Sequence, residues 1–327
     1  MPDGTARAHY IIYKGCDFLN RTVGIIELFI TAIIWGTAFV AQSIGMDYIG
    51  PLAFNGARYA VGSFALIPVI IIIGRIKRKK AGTSKKEKAE QIRKNELQNT
   101  IKGGVFCGLI ITAASLLQQY GLLYTTVGKA AFGTALYIII VPFLAVLLHK
   151  KITGNVWIAA IIAIVGFYLM CASENMGIGK GDALVLLGAV MWSVHIHTVD
   201  YFAPKSNGVM LSAIQFGVSA IICFSAAFIF EHFTLSDIIN GAIPILYAGV
   251  LSCGVAYTLQ IIAQQKVEPS LACLIMSFEA VISAVTGWII LGEAMGFVEI
   301  LGCTLVFLGV ILAQLPERRK VEVEEAY

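Results

Sequence analysis

Apolar residues dominate the chain in long uninterrupted runs, and short polar or glycine- and proline-containing turns break those runs at fairly even intervals. A hydrocarbon core about 30 Å thick is crossed by about 20 helical residues at about 1.5 Å each. By that ruler ten segments are predicted: 24–45, 52–74, 102–125, 128–149, 153–172, 181–201, 208–230, 242–263, 270–291 and 295–315. Pro51 and Pro269 stand at openings, where the missing N–H costs nothing. The stretches "SENMGIGKGD" and "YFAPKSNG" read as polar turns.

The order of the segments carries a second pattern. A shift of 157 residues lays "IIWGTAFV" (33–40) on "VMWSVHIH" (190–197), placing Trp35 over Trp192, and lays Arg58 over Gln215. Further along, residues 117–131 match 259–273, and "VGFYLM" matches "LGVILA". Five segments per half is an odd number, so the second half enters the bilayer upside down relative to the first. The predicted fold class is therefore an all-α integral membrane protein of ten transmembrane helices in two inverted five-helix repeats. The expected organisation is a cytoplasmic tail at 1–23, a first unit at 24–172, an inverted second unit at 181–315 and a cytoplasmic tail at 316–327. Residues 1–22 hold no signal-peptide core and read as a tail or an over-extended start.

Composition agrees: 58% of residues are hydrophobic and 13% charged, against about 25% charged in ordinary soluble chains. Charge then sets orientation. Eleven of the 24 Lys and Arg lie between Arg75 and Lys102, and the expected loop at 75–101 reads as solvated and cytoplasmic rather than nucleic-acid binding. With the N-terminus inside, 21 basic residues are cytoplasmic, Lys129 and Lys180 are outside, and Arg58 makes up the 24. That split follows the positive-inside rule and places both termini in the cytoplasm. The seven cysteines are scattered with no CxxC pair and read as small packing residues.

The stretches "WGTAFV", "FNGARYAVGS", "GKAAFGTALYIIIVPFLAVL" and "SLACLIMSFEAVISAVTGWIILGEAMGFVEILGCTLVFLGVIL" resemble the two EamA-type halves of the drug/metabolite transporter superfamily. The resemblance spans about residues 24–315, and "GWIILGE" is its most specific piece. It implies ten helices and transport of small metabolites, often export. Two departures stand out: "SFEAVIS" has Ala280 where the family's Leu-Glu-Pro has proline, and "LLHKKIT" occupies the place of that motif in the first half.

Polar groups inside apolar segments are the candidate chemistry, because an ionised group at a helix centre costs about 2.5–3.5 kcal/mol on insertion scales. Glu279 lies near mid-depth, with Met276, Ser283 and Thr286 on its face, and is a candidate for exchanging a proton with a cavity. Cys253, Tyr257, Gln260 and Gln264 form a stripe spaced four, three and four. Thr112, Ser115 and Gln119 form another, with Gln118 adjacent. These faces serve either substrate binding or helix–helix hydrogen bonding. His195 and His197, two apart, point roughly 200° from each other and cannot share a metal ion. His195 instead groups with Trp192, and His197 with Asp200. Trp35 and Trp192 lie away from the interfaces where membrane tryptophans usually collect. Arg58, seven residues past Pro51, is expected to anchor its helix, by snorkelling outward or by bonding backbone carbonyls of a neighbouring helix, in preference to binding substrate, and the resemblance implies a helix outside the central cavity. Pro142 is expected to kink its helix, five residues after Tyr137.

The expected substrate-binding set is thus Trp35, Gln118, Gln119, Tyr137, Trp192, His195, Tyr257, Gln260 and Glu279, with Arg58 and Pro142 structural. The expected function is a secondary transporter of an amino acid, drug or related solute, by export across the plasma membrane. No Walker motif is present, and no cofactor or metal is expected. The expected partners are a small-molecule substrate and the lipid bilayer, without nucleic acid, and a homodimer is compatible with the sequence. A membrane-embedded enzyme using Glu279 and His195 is the rival of another class. A phosphorylated-sugar exchanger would want more cations than Arg58 and Lys129.

Overall fold

A computed structural model describes residues 4–80, 86–147, 154–175, 179–267 and 269–314. Every regular element among them is helical. The first half comprises α1 (Gly4–Gly45), α2 (Pro51–Lys80), α3 (Lys86–Leu122), α4 (Val127–Ala135), α5 (Tyr137–Leu147) and α6 (Gly154–Asn175). The second comprises α7 (Lys180–Phe202), α8 (Gly208–Phe230), α9 (Leu235–Asn240), α10 (Ala242–Leu246), α11 (Tyr257–Ala263), α12 (Pro269–Met276), α13 (Phe278–Thr286) and α14 (Phe297–Gln314). Residues Tyr247–Ala256 and Gly287–Leu291 are wound as π-helix.

Among the described residues, eight helical stretches are long and apolar enough to cross a membrane, and two shorter apolar stretches, Trp157–Met170 and Phe297–Gly309, lie in α6 and α14. Their outward faces carry large apolar side chains such as Phe64, Ile161, Ile221 and Phe228, all exposed. Water would reject such a surface and lipid accepts it. The chain is a multi-pass membrane protein.

Several elements differ from the sequence reading. α1 extends back to Gly4, through the expected tail. The expected loop at 75–101 is mostly helix, because α2 runs to Lys80 and α3 begins at Lys86. Its residues are good helix formers, and Gln91 bonds Asn95 one turn on. Lys150 and Lys151, and the cluster at Arg318, lie outside the described residues. Two expected spans are interrupted: α4 gives way to α5 at Leu136, and α12 to α13 at Ser277. The break falls at Leu136, upstream of Pro142, which sits inside α5.

Helices of the first half pack on helices of the second: α2 on α8, α3 on α7 and α8, α6 on α14, and α1 on α13. Glycines set the closest approaches. A Cβ on Gly36 would lie 2.6 Å from Ile282 Cβ and 2.8 Å from the Glu279 carbonyl, so α1 touches the α13 backbone. A Cβ on Gly62 would lie 2.5 Å from Cys253 Cβ, which brings α2 against the π-wound segment. Carboxylates then close helix ends between halves. Glu231, just past α8, accepts the Leu52 and Ala53 N–H groups at 2.9 and 2.8 Å. Glu293 accepts the Val127 N–H at 3.1 Å. Both sit where helix N-terminal donors lack partners and the dipole favours an anion. Lys129 is buried and pairs with Glu299 of α14 at 3.3 Å, while Lys266 pairs with Glu27 of α1 at 2.8 Å.

Candidate functional site

The packed halves leave a cavity between them with about 490 Å³ of empty space, its open side included. One face of α1 supplies Trp35, Ala38, Phe39 and Gln42, spaced three, one and three as a helical face requires. Arg58 of α2, Gln118 of α3, Thr134 of α4 and Tyr137 of α5 complete the first half's share. From the second half come Trp192 and Ile196 of α7, Ser252, Tyr257 and Gln260, then Met276 and Glu279.

The two helix breaks meet here. Tyr137 is the first residue after the break at Leu136, and Glu279 follows the break at Ser277. The Tyr137 hydroxyl donates to Glu279 Oε1 at 3.2 Å, and Glu279 is 3% exposed. Mid-membrane breaks in paired helices turn backbone and side chains toward a shared cavity.

Aromatic rings form a second feature. Tyr257 stands between Trp35, at 4.5 Å between ring centroids, and Trp192, at 6.0 Å. Phe216 backs it at 5.4 Å. A polar chain runs alongside: Trp192 Nε1 donates to Gln118 Oε1 at 3.0 Å, Gln118 Nε2 to Gln42 Oε1 at 3.3 Å, and Gln42 Nε2 to the Ala38 carbonyl. Trp35 Nε1, Thr134 Oγ1 and Gln260 Oε1 are buried with no hydrogen-bond partner among the described residues. These three lining groups leave polar capacity on the cavity wall that a bound polar solute can satisfy.

Of the nine residues expected to bind substrate, seven line this cavity: Trp35, Gln118, Tyr137, Trp192, Tyr257, Gln260 and Glu279. Gln119 and His195 do not. Gln119 Nε2 donates to the Gln42 backbone carbonyl, fastening α3 to α1. His195 lies behind Trp192 and pairs with Gln215 at 3.1 Å. His197, expected beside Asp200, instead donates from Nε2 to the Val141 carbonyl at 2.9 Å. Thr112 donates to Ser219 at 3.0 Å, and Ser283 to the Val127 carbonyl. Thr112 and Ser283 thus make helix-to-helix bonds, whereas Gln118, Met276 and Glu279 of the same faces line the cavity.

Of the stripe Cys253, Tyr257, Gln260 and Gln264, Tyr257 and Gln260 line the cavity, and Cys253 turns away because residues 247–256 are π-wound. The wider turn carries Cys253 against Gly62 of α2 and brings Ser252 to the cavity. Gln42 was also missed, although it lies seven residues after Trp35 on the same face, a spacing that signals it.

Arg58 departs most from expectation. It does not snorkel outward from a peripheral helix: it is 3% exposed and reaches the cavity wall. Its Nε donates to Asn55 Oδ1 at 2.7 Å and its Nη2 to the Tyr59 hydroxyl at 3.3 Å. The guanidinium also lies over the rings of Tyr59 at 4.8 Å and Phe54 at 5.9 Å. Close packing of α2 on the π-wound segment and α8 turns this face inward.

A cavity of polar and aromatic groups drawn from both halves of a multi-pass helical fold is the arrangement membrane transporters use. Comparison with known proteins is specific: the EamA-like transporter family matches residues 22–172 and 179–315, so the chain belongs to that family. An uncharacterized transporter of Archaeoglobus fulgidus is 26% identical over 303 residues, covering 92% of this chain and 89% of that protein. The uncharacterized transporter YoaV of Bacillus subtilis is 24% identical, with 91% and 98% covered. The uncharacterized inner membrane transporter YedA of Escherichia coli K12 is 20% identical, with 88% and 89% covered. One solved crystal structure matches with TM-score 0.66 at 16% identity, over 90% of this chain and 96% of that one, which shows a shared fold. The family and these names are those of transporters, which sets aside the embedded enzyme.

Proposed function

We propose that this chain is a secondary transporter that moves a small amphipathic solute, by export, across the plasma membrane. The observation that carries the reading is a cavity drawn from both halves, with the Tyr137–Glu279 hydrogen bond spanning it at the two helix breaks. The halves rock around that cavity and expose it to one side at a time. Aromatic rings receive the apolar part of the solute, and Gln42, Gln118, Gln260 and Ser252 receive its polar groups. Glu279 is the one carboxyl group of the described lining and exchanges a proton during the cycle.

The architecture in this reading is ten membrane-spanning helices in two inverted repeats, with α6 and α14 as the two shortest spans. The breaks at Leu136 and Ser277 support it, since they fall within a residue of the register that lays 117–131 on 259–273. Both termini are cytoplasmic on the basic-residue split. The test is to compare what cells with and without the protein accumulate and release, then to measure counterflow of each differing solute in proteoliposomes. Saturable counterflow that falls sharply on Trp192→Ala supports the reading. Identical metabolite pools and no counterflow of any candidate overturn it.

A further inference from the structure

No ion pair among the described residues balances the charge of Arg58. Its guanidinium stays ionised in any protein environment, and here it is buried yet reaches the cavity wall. Its hydrogen-bond partners among the described residues are neutral, the Asn55 amide and the Tyr59 hydroxyl, with the Tyr59 and Phe54 rings alongside. Glu279, in the same lining, is bonded to Tyr137 and makes no ion pair with Arg58. A guanidinium offers five N–H donors, and these two bonds use only part of the set. A buried cation with no counter-charge is unfavourable until an anion reaches it.

We propose that Arg58 is the anion-binding residue of the cavity and that the transported solute presents a carboxylate to it. The inference rests on the transport reading of this cavity and narrows its substrate class. A carboxylate matches the planar guanidinium fork with two parallel bonds. Trp35 Nε1, buried without a partner, is a further N–H donor in the same wall. The rest of the solute is apolar, lying against Trp35, Trp192 and Tyr257. Arg58 is the one Lys or Arg of the described lining, so a single negative charge is neutralised and a doubly charged phosphate ester is not.

Asn55 makes a sharp test possible. Its Oδ1 holds Arg58 Nε, and its Nδ2 is buried with no hydrogen-bond partner among the described residues, so Asn55→Asp keeps shape and bond. It also places a carboxylate beside Arg58, which then competes with the solute's own. Purified full-length protein in detergent would be titrated with a panel of carboxylates headed by 3-phenylpropanoate, each matched with its neutral amide, and read by thermal shift. Wild-type protein should bind at least one acid about 10-fold or more tightly than its amide, the scale of one bond to a charged group. In Asn55→Asp and in Arg58→Gln that preference should fall to near one, with amide binding retained in Asn55→Asp. Wild-type protein that binds no acid better than its amide overturns the inference. So does Asn55→Asp with an undiminished preference, which a purely structural Arg58 predicts. Acid preference without counterflow in proteoliposomes would sink the transport reading and leave Arg58 an anion site. Counterflow of neutral or cationic solutes alone would do the reverse.

Discussion

Glu231 fixes the end of the helix that carries Arg58, and its contribution can be worked out from four atoms. Its two carboxylate oxygens accept the N–H groups of Leu52 and Ala53 at 2.9 and 2.8 Å, in the first turn of α2. Hydrogen bonds to charged groups contribute about 1.5–3 kcal/mol each when well buried. Glu231 is half-buried, so water replaces part of each bond, and about 1 kcal/mol apiece is the reasonable figure. The helix dipole adds about 0.5 kcal/mol. Glu231→Ala should therefore cost about 2.5 kcal/mol, roughly a 70-fold shift in the unfolding equilibrium.

Gly50 tests the same bond from the other side. A Cβ built there would meet the Glu231 carboxylate first, at 2.4 to 2.6 Å. Its φ is not in the left-handed region, so alanine suits the backbone and its cost is displacement of the cap. Gly50→Ala alone should be destabilising by a similar amount. With Glu231→Ala already present, it should cost little more. Equilibrium unfolding in mixed micelles of the two single variants and the double variant gives the coupling directly. Additive costs would refute the reasoning, since the glycine would then be needed for something other than the carboxylate.

Three further predictions concern the cavity and its orientation. Gly36→Ala should force α1 away from Ile282 and the Glu279 carbonyl, costing about 1–3 kcal/mol and cutting transport, whereas Gly74→Ala, whose Cβ meets nothing within 4 Å, should do neither. Equal flux from the two variants in proteoliposomes would contradict that close approach as the element positioning Glu279. Glu279→Gln keeps shape and can still accept from Tyr137, so counterflow should persist while uptake driven by a proton gradient fails; wild-type gradient-driven uptake would end the proton role. An impermeant maleimide on intact cells should label Ser236→Cys in α9 and spare Asn95→Cys in α3, and the opposite pattern would invert the proposed topology.

The aromatic heart of the site was legible because Trp35 and Trp192 repeat at one register and lie away from any interface. Tyr257 stands between them in space. Glu279 was legible for a related reason, a carboxyl too deep to reach water. The helix breaks were not. Leu136 and Ser277 carry neither glycine nor proline, and Pro142 drew attention to a turn that remains helical. Nor does anything local announce the π-winding of 247–256. An α-helical wheel therefore put Cys253 on the wrong face and missed Ser252. The direction of Arg58 depends on which helices flank α2, and the glycine contacts that bring the π-wound segment against it pair residues far apart in sequence. Hydrophobic pattern marks where apolar helices lie more readily than which way one side chain turns inside them.

Access to the cavity from both sides of the membrane is the most direct test of transport through it. Ser252 lines the cavity from the π-wound segment, and the native cysteines described here are buried and unpaired, so alanine can replace them. In that background Ser252→Cys would be reconstituted in one orientation and exposed to an impermeant maleimide from either face. The account predicts labelling from each face in turn, slowed from both by a transported solute, with no leak of a small dye. Labelling from one face only, whatever the solute, would contradict alternating access through this cavity.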